Sequence, residues 1–491
     1  MINTTKTKIM TLIIGIALVF AVTALPLAGC DNGNGGPNGG TNQTPAADDF
    51  DIDNLNQTVE NITAVTITPK TGKSTGAITI YYNGSTTLPA TVGTYTVTFD
   101  VAAATGWKAA NGLSAGTLAI NPAGPVDPVD TIMDLPPMKD QFSDYFMMGN
   151  IFNPGDIGGA SVTNTYLTRH YNVLTAENHM KPMFISTGRN TSTGVITYNY
   201  TTADNMVDAA IASGFKVVGH TLLWHDQNAG WMNTIGTNKE TALTAMKKYV
   251  TDVVTHFKGK IHSWDVLNEA FPDGVSASAD WKNVMRKTGD GQAPNPWYVA
   301  IGSDFVYEGF LAARQADPDA ILYYNDYNMD QTGKATMVRN MVRDVNARYQ
   351  QEYPGETRLL IEGIGMQSHH NTGVTANSIK NSLNLFRPLG VKISISELDV
   401  LGQTYAQFAA IGQGPNKQGN TTVTDQGLQT QATRYGEYFR VFLDNADIIE
   451  RVTFWGVTDD KSWRSAGLPL LFDPNGKAKP AYFKVIETLE K

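Results

Sequence analysis

Two glutamates stand where a strand-like run gives way to polar sequence. Glu269 follows Asn268 in the segment WDVLNEAF, at the end of the run Ile261 to Leu267, and Glu397 closes the run in VKISISELDV. A carboxylate at the end of a buried strand is costly unless it is paired or hydrogen-bonded, so each belongs either to an ion pair or to chemistry. Two such carboxylates at the same end of different strands favour chemistry, because glycosidic cleavage needs a pair. One protonates the leaving oxygen, and the other attacks or activates water.

Something must hold these two groups at one place. Across residues 133–491 strand-like runs alternate with amphipathic helical segments, and the runs end near Gly149, Glu177, Trp224, Glu269, Asp326, His369, Glu397 and Trp455. Thr237-Asn238-Lys239-Glu240 reads as a capping box opening a helix through Phe257, and a second helix, Phe305 to Ala316, is stopped by Pro318. Eight alternations predict an α/β fold of the (β/α)8 TIM-barrel type, although a doubly wound sheet gives a similar linear pattern. In a barrel, chemistry sits at the C-terminal ends of the strands, where both glutamates fall.

With these elements in place, the sequence resembles glycoside hydrolase family ten, the retaining endo-β-1,4-xylanases, over nearly all of residues 133–491. Seven segments carry the resemblance in the family's order: TAENHMK (Thr175 to Lys181), GHTLLWHDQ (Gly219 to Gln227), WDVLNEAF, LYYNDYN (Leu322 to Asn328), GIGMQSH (Gly363 to His369), SELD (Ser396 to Asp399) and FWGVTDDKSW (Phe454 to Trp463). The resemblance implies that Glu269 is the general acid/base and Glu397 the nucleophile of a double displacement. It implies that His369, with Asp399 behind it, supports the nucleophile; Glu397 and Asp399, two apart on a strand, share a face. By the same analogy Asn268 bonds the sugar 2-hydroxyl and Gln367 has a similar role beside the nucleophile. Glu177, Asn178, Lys181, His220 and Gln227 match positions that bind the non-reducing-side sugars, with a plain surface ion pair as the alternative for Glu177 and Lys181. Trp224, Trp455 and Trp463 match cleft aromatics, where an indole can cover the C–H face of a xylose ring, and Tyr327 contributes on the leaving-group side. The gap between Trp455 and Trp463 predicts a strand followed by an exposed loop.

The chain departs from the family pattern at Pro182, where an aromatic often follows the lysine, and in the long Gln/Gly/Asn-rich stretch from Gly402 to Asp425. Both bear on which side chains of a substrate are accepted. His179, His225 and Asp226 lack the spacing of a metal-binding motif, so no metal and no cofactor are expected.

The whole chain has 491 residues, 37 basic and 46 acidic side chains, a formal net charge of −9 and one cysteine. The acidic balance lacks the positive footprint of a nucleic-acid binder, and a lone cysteine excludes an internal disulfide and a thiolate metal site. Lys6 and Lys8 precede an apolar run, Ile9 to Leu27, that closes with Leu27-Ala28-Gly29-Cys30. Residues 1–29 therefore read as a signal peptide whose end resembles a bacterial lipobox, which implies lipid attachment at Cys30 and an extracytoplasmic, membrane-anchored chain. Residues 30–57 read as a flexible tether, 58–122 as a small all-β module resembling bacterial Ig-like repeats, and 123–132 as a Pro-rich linker. Tyr81, Tyr82 and Trp107 of the module could stack on sugars, though core packing is the commoner use. The expected partner is xylan or its oligosaccharides, acted on by a monomer. A related β-1,4-glycanase on cellulosic or mixed-linkage chains is the alternative in the same class, and a non-catalytic surface carbohydrate-binding protein is the alternative outside it.

Overall fold

A computed structural model describes residues 42–58, 62–121, 131–159, 161–287, 293–411 and 422–490. The signal segment, Cys30 and most of the Pro-rich linker lie outside the described residues. Two compact units divide near residue 126.

The first unit is all-β. Strands Asn56–Thr58, Ala110–Asn121, Gly93–Val101 and Ile78–Tyr82 form one sheet in that spatial order, and Phe50–Asp53 pairs antiparallel with Thr66–Pro69 in a second. Phe50 meets Phe99 edge to face at 5.1 Å and joins Val97, Leu118 and Ile120 in the core. Strands therefore begin well inside the stretch expected as tether, because Phe50 supplies apolar area that a Gly/Asn composition hides. Tyr82 is a core residue whose hydroxyl accepts from the Val65 amide at 3.0 Å. Tyr81 donates to Asp100, and Trp107 is half-buried.

The second unit is a closed barrel of eight parallel strands. We label them β1 (Met147–Phe152), β2 (Val173–Ala176), β3 (Lys216–Leu223), β4 (Ser263–Asn268), β5 (Ile321–Asp326), β6 (Gly363–Met366), β7 (Lys392–Leu401) and β8 (Ile449–Phe454). Each pairs with its neighbour, β8 pairs with β1, and β6 pairs with β7 around the ring, so no edge is left open. β4 is buried at all six positions, as expected where helices cover one side of the sheet and side chains fill the other.

The helix Lys239–His256 buries Ala242, Ala245, Met246, Tyr249, Val250 and Val253, a helical stripe against the barrel. Its cap is Asn238, not Thr237: the Asn238 side chain accepts from the Thr241 amide at 2.9 Å, so the helix starts one residue later than the capping box suggested. The helix Asp304–Ala316 ends as expected before Pro318.

Two strand boundaries differ from expectation in a way that matters for the site. β7 continues past Glu397 to Leu401, because a short extra strand, His369–Asn371, pairs parallel with its last three residues. That register places His369 directly opposite Asp399. β6 ends at Met366, and Ser368, with φ 63, turns the chain into the extra strand.

Candidate active site

The C-terminal ends of β4, β5, β6 and β7 bring both glutamates to one polar cluster. Glu269, the first residue after β4, has φ 52, the left-handed region that L-residues with a side chain avoid. Its amide donates to the Asn325 carbonyl at 2.8 Å, and its own carbonyl accepts from Arg286 Nε at 2.8 Å, so the conformation is fixed from both sides. The carboxyl then accepts from Trp224 Nε1 at 3.0 Å through Oε2 and from Gln367 Nε2 at 2.9 Å through Oε1.

Glu397 is 5% exposed. Its Oε1 accepts from Asn325 Nδ2 at 2.7 Å, and its Oε2 contacts His369 Nε2 at 3.1 Å. Asn325 also reaches Asn268 Oδ1 at 2.9 Å, and the same oxygen accepts from Gln367 Nε2 at 3.3 Å. The two carboxyls are thus linked by a chain of three amides. Ser396 donates to Asn325 Oδ1 at 2.6 Å, which fixes which way that amide faces. β6 makes room for it with Gly365, where a Cβ would overlap the Asn325 side-chain oxygen.

Behind His369 lies a buried acid. Asp399 is 0% exposed and takes His369 Nδ1 at 2.9 Å and Trp463 Nε1 at 3.0 Å on one oxygen, and Arg464 Nη1 at 2.6 Å on the other. Burial opposes the Asp399 charge, but Arg464 and His369 outweigh it and hold the carboxyl below its ordinary value. Burial likewise opposes a charge on His369, yet Asp399 and Glu397 prevail and push it up to about 9. That shift favours the imidazolium, the form in which each ring nitrogen would donate to the carboxyl it faces.

A test follows from the sign of that shift. A histidine raised above its ordinary 6.5 stabilises the fold fully below that pH, and the gain is lost as pH rises through about 9. The melting temperature of the native chain relative to His369→Gln is expected to fall between these limits. A gap that stays constant across them would exclude a charged His369.

The remaining predicted positions surround this centre. Lys181, 6% exposed, lies 5.2 Å from the centre of the Trp224 ring and donates to Asn178 Oδ1 at 3.0 Å. Burial lowers its proton affinity, opposed by Glu397, Glu177 and Glu269. The surface ion pair held open for Lys181 does not form: Glu177 instead accepts from Asn153 Nδ2. His220 is buried, with Nδ1 on Asp265 at 3.0 Å and its ring edge-on to Trp455. Gln227 has φ 44 and a buried Oε1 with no hydrogen-bond partner. Tyr327 accepts from Arg286 Nη2 at 2.7 Å and donates to Asp273 at 3.2 Å, with Lys334 Nζ 3.7 Å from its ring centre.

Two expectations need correction. Gln367 was expected beside the nucleophile; only its carbonyl is, accepting from the Glu397 amide at 2.9 Å, while its side chain turns to Glu269 and Asn268. Adjacent strands pair through their main chains, which frees a side chain to cross the barrel mouth. The segment between Trp455 and Trp463 was expected to be an exposed loop; it is exposed at Asp460 and Lys461, whereas Asp459 beside them is 1% exposed. Asp459 is held by Lys479 at 2.9 Å and by the Leu470 amide at 2.8 Å. Trp463 is half-buried, its ring 4.9 Å from that of His369.

Asn325, Arg464 and Arg286 were not singled out from the sequence. Asn325 had a visible signal, a polar residue interrupting an apolar strand within LYYNDYN, whereas the two arginines sit in loops with nothing local to mark them.

Residues 137–488 match the sequence profile of glycosyl hydrolase family 10. The chain belongs to that family. A crystal structure of a bacterial Ig-like domain containing GH10 xylanase from termite gut is 52% identical and superposes with a TM-score of 0.70, covering 81% of this chain and 85% of that one. The β-1,4-xylanase of Dictyoglomus thermophilum is 32% identical over 369 residues, 72% of this chain and 92% of that enzyme. Endo-1,4-β-xylanase A of Thermotoga maritima is also 32% identical, over 372 residues, but this chain matches only 31% of its length. Within family 10 the fold is the eight-stranded barrel preceded here by the small β unit.

Proposed function

We propose that this chain is a retaining endo-β-1,4-xylanase. The observation that carries the reading is the pair Glu269 and Glu397, on the ends of β4 and β7, bridged by Asn268, Asn325 and Gln367 and set in unequal surroundings. Glu397 takes a neutral amide and an imidazolium, donors that suit an anionic nucleophile. Glu269 takes only neutral donors and is placed to pass a proton. In the first step Glu269 protonates the glycosidic oxygen while Glu397 bonds the anomeric carbon, and the aglycone leaves as an alcohol. In the second, Glu269 takes a proton from water, whose oxygen displaces Glu397 with a second inversion, so configuration is retained. Asn268 bonds the sugar 2-hydroxyl. Glu177, Asn178, Lys181, His220 and Gln227 hold the non-reducing side, Trp224, Trp455 and Trp463 line the cleft, and Tyr327 contributes on the leaving-group side.

Xylan as substrate rests on the names of the relatives above. A β-1,4-glucan differs by one hydroxymethyl group per unit, so relative turnover on xylan and carboxymethylcellulose tests it. Xylan is expected to be cut faster, and a preference for carboxymethylcellulose would reverse the assignment.

The same reading makes Cys30 the lipidated first residue of the mature chain, held outside the cytoplasm by a tether, and acting as a monomer. The Ig-like likeness of the β unit is supported by the termite-gut enzyme. Growth with labelled palmitate is expected to label the native chain and not Cys30→Ser, and absence of label from the native chain would count against the anchor.

A further inference from the structure

One buried cation beside the acid/base is not used by the reaction as described above. Arg286 is 1% exposed and lies in the loop after β4. Its main chain is fixed, the amide donating to the Ala270 carbonyl at 2.9 Å and the carbonyl accepting from the Asn295 amide at 3.2 Å. Its guanidinium makes two directed bonds from different nitrogens of its planar fork: Nε to the Glu269 carbonyl at 2.8 Å and Nη2 to the Tyr327 hydroxyl at 2.7 Å. Nη1 is buried with no hydrogen-bond partner. Burial opposes the charge, and Asp326, Tyr327 and Glu269 outweigh it, so the arginine stays cationic.

What this cation touches is informative. Its contact with Glu269 is to the carbonyl, one of the two main-chain bonds, with the amide on Asn325, that hold this residue at φ 52, the backbone conformation from which its carboxyl projects. Its other contact, Tyr327, is itself clamped by Asp273 and by Lys334, which is 1% exposed and paired with the fully buried Asp326 at 3.2 Å. His225 Nδ1, 3.8 Å from Glu269 Oε2, cannot take the place of this cation, since burial and Arg286 push its proton affinity down to about 3.

We propose that Arg286 is a positioning residue for proton donation: it couples the backbone of Glu269 to Tyr327, so that the acid and the aromatic group on the leaving-group side keep one fixed relation as the aglycone departs. This rests on Glu269 being the acid. A lysine cannot replace it, because a single ammonium cannot reach both the carbonyl and the hydroxyl in the arginine's planar fork.

The test uses leaving groups of graded acidity. Aryl β-xylobiosides are compared in kcat/KM, which reports the first step, for the native chain, Arg286→Lys, Arg286→Gln, Tyr327→Phe and Glu269→Ala. Loss in the Arg286 variants is expected to grow as the leaving group worsens, from under threefold with dinitrophenol to about thirtyfold or more with phenol, a range set by general acid catalysis. Tyr327→Phe is expected to give a smaller loss of the same slope, non-additive with Arg286→Lys. The same loss for every leaving group would mean that Arg286 only supports the fold, and no loss would also overturn the proposal. If Glu269→Ala itself lacks the leaving-group slope, the assignment of the acid fails instead. Should the Arg286 variants not fold, Tyr327→Phe alone decides, since it cuts the coupling and leaves the arginine in place.

Discussion

Replacing Glu397 with Ala is expected to reduce turnover of xylan by about 10⁴-fold or more, the scale seen when a covalent nucleophile is removed. At 1.36 kcal/mol per factor of ten, that is about 5 kcal/mol of lost transition-state stabilisation. The size follows from the geometry, because nothing else in the cluster can bond the anomeric carbon from that face. Asn325 and His369 are donors aimed at the Glu397 oxygens, and Asp399 is saturated by His369, Trp463 and Arg464. Binding should survive, since Lys181, Trp224 and His220 do not depend on Glu397 for their positions. Reducing-sugar release with binding measured in parallel separates the two, and release at the native rate would remove Glu397 from the reaction.

Replacing Glu269 with Ala is expected to have a large effect that depends on the substrate. With xylan the leaving oxygen needs a proton, and loss of a positioned general acid slows the step by about 10²–10⁴-fold. With a dinitrophenyl xylobioside the first step needs no acid and should proceed, but the second still lacks a base to activate water. The glycosyl-enzyme should therefore accumulate, visible as a burst of dinitrophenol followed by slow turnover. Azide, a nucleophile that requires no deprotonation, should restore turnover by capturing the intermediate as the β-glycosyl azide. A uniform loss on both substrates without azide rescue would contradict the acid/base role.

Much of this centre was legible in the sequence because barrel strands are read by the residues that interrupt them. Glu269, Asn268 and Glu397 each break a run that otherwise belongs to a core, and the i, i+2 spacing of Glu397 and Asp399 gave their common face without any structure. What could not be read was three-dimensional closure. That Gln367 would turn its amide to Glu269 depends on how the chain leaves the end of β6 at Met366. That Arg464 and Arg286 would neutralise and brace the two halves of the site depends on loops returning to the barrel mouth from 65 and 17 residues away in sequence. The tether ended earlier than expected for the same reason: Phe50 has value only against Phe99, on a strand far along the chain.

The central claim is that Glu397 becomes covalently bonded to the sugar, and it can be observed directly. A 2-deoxy-2-fluoro-xylobioside with a dinitrophenyl leaving group slows both steps by destabilising positive charge at the ring, while its leaving group restores the first, so the intermediate persists. Mass spectrometry of the intact chain and its peptides should show one fluorinated xylobiosyl unit, located on the peptide that contains Ser396-Glu397-Leu398 and absent from Glu397→Ala. An adduct on a different residue, or steady turnover of the reagent with no adduct at all, would contradict the account.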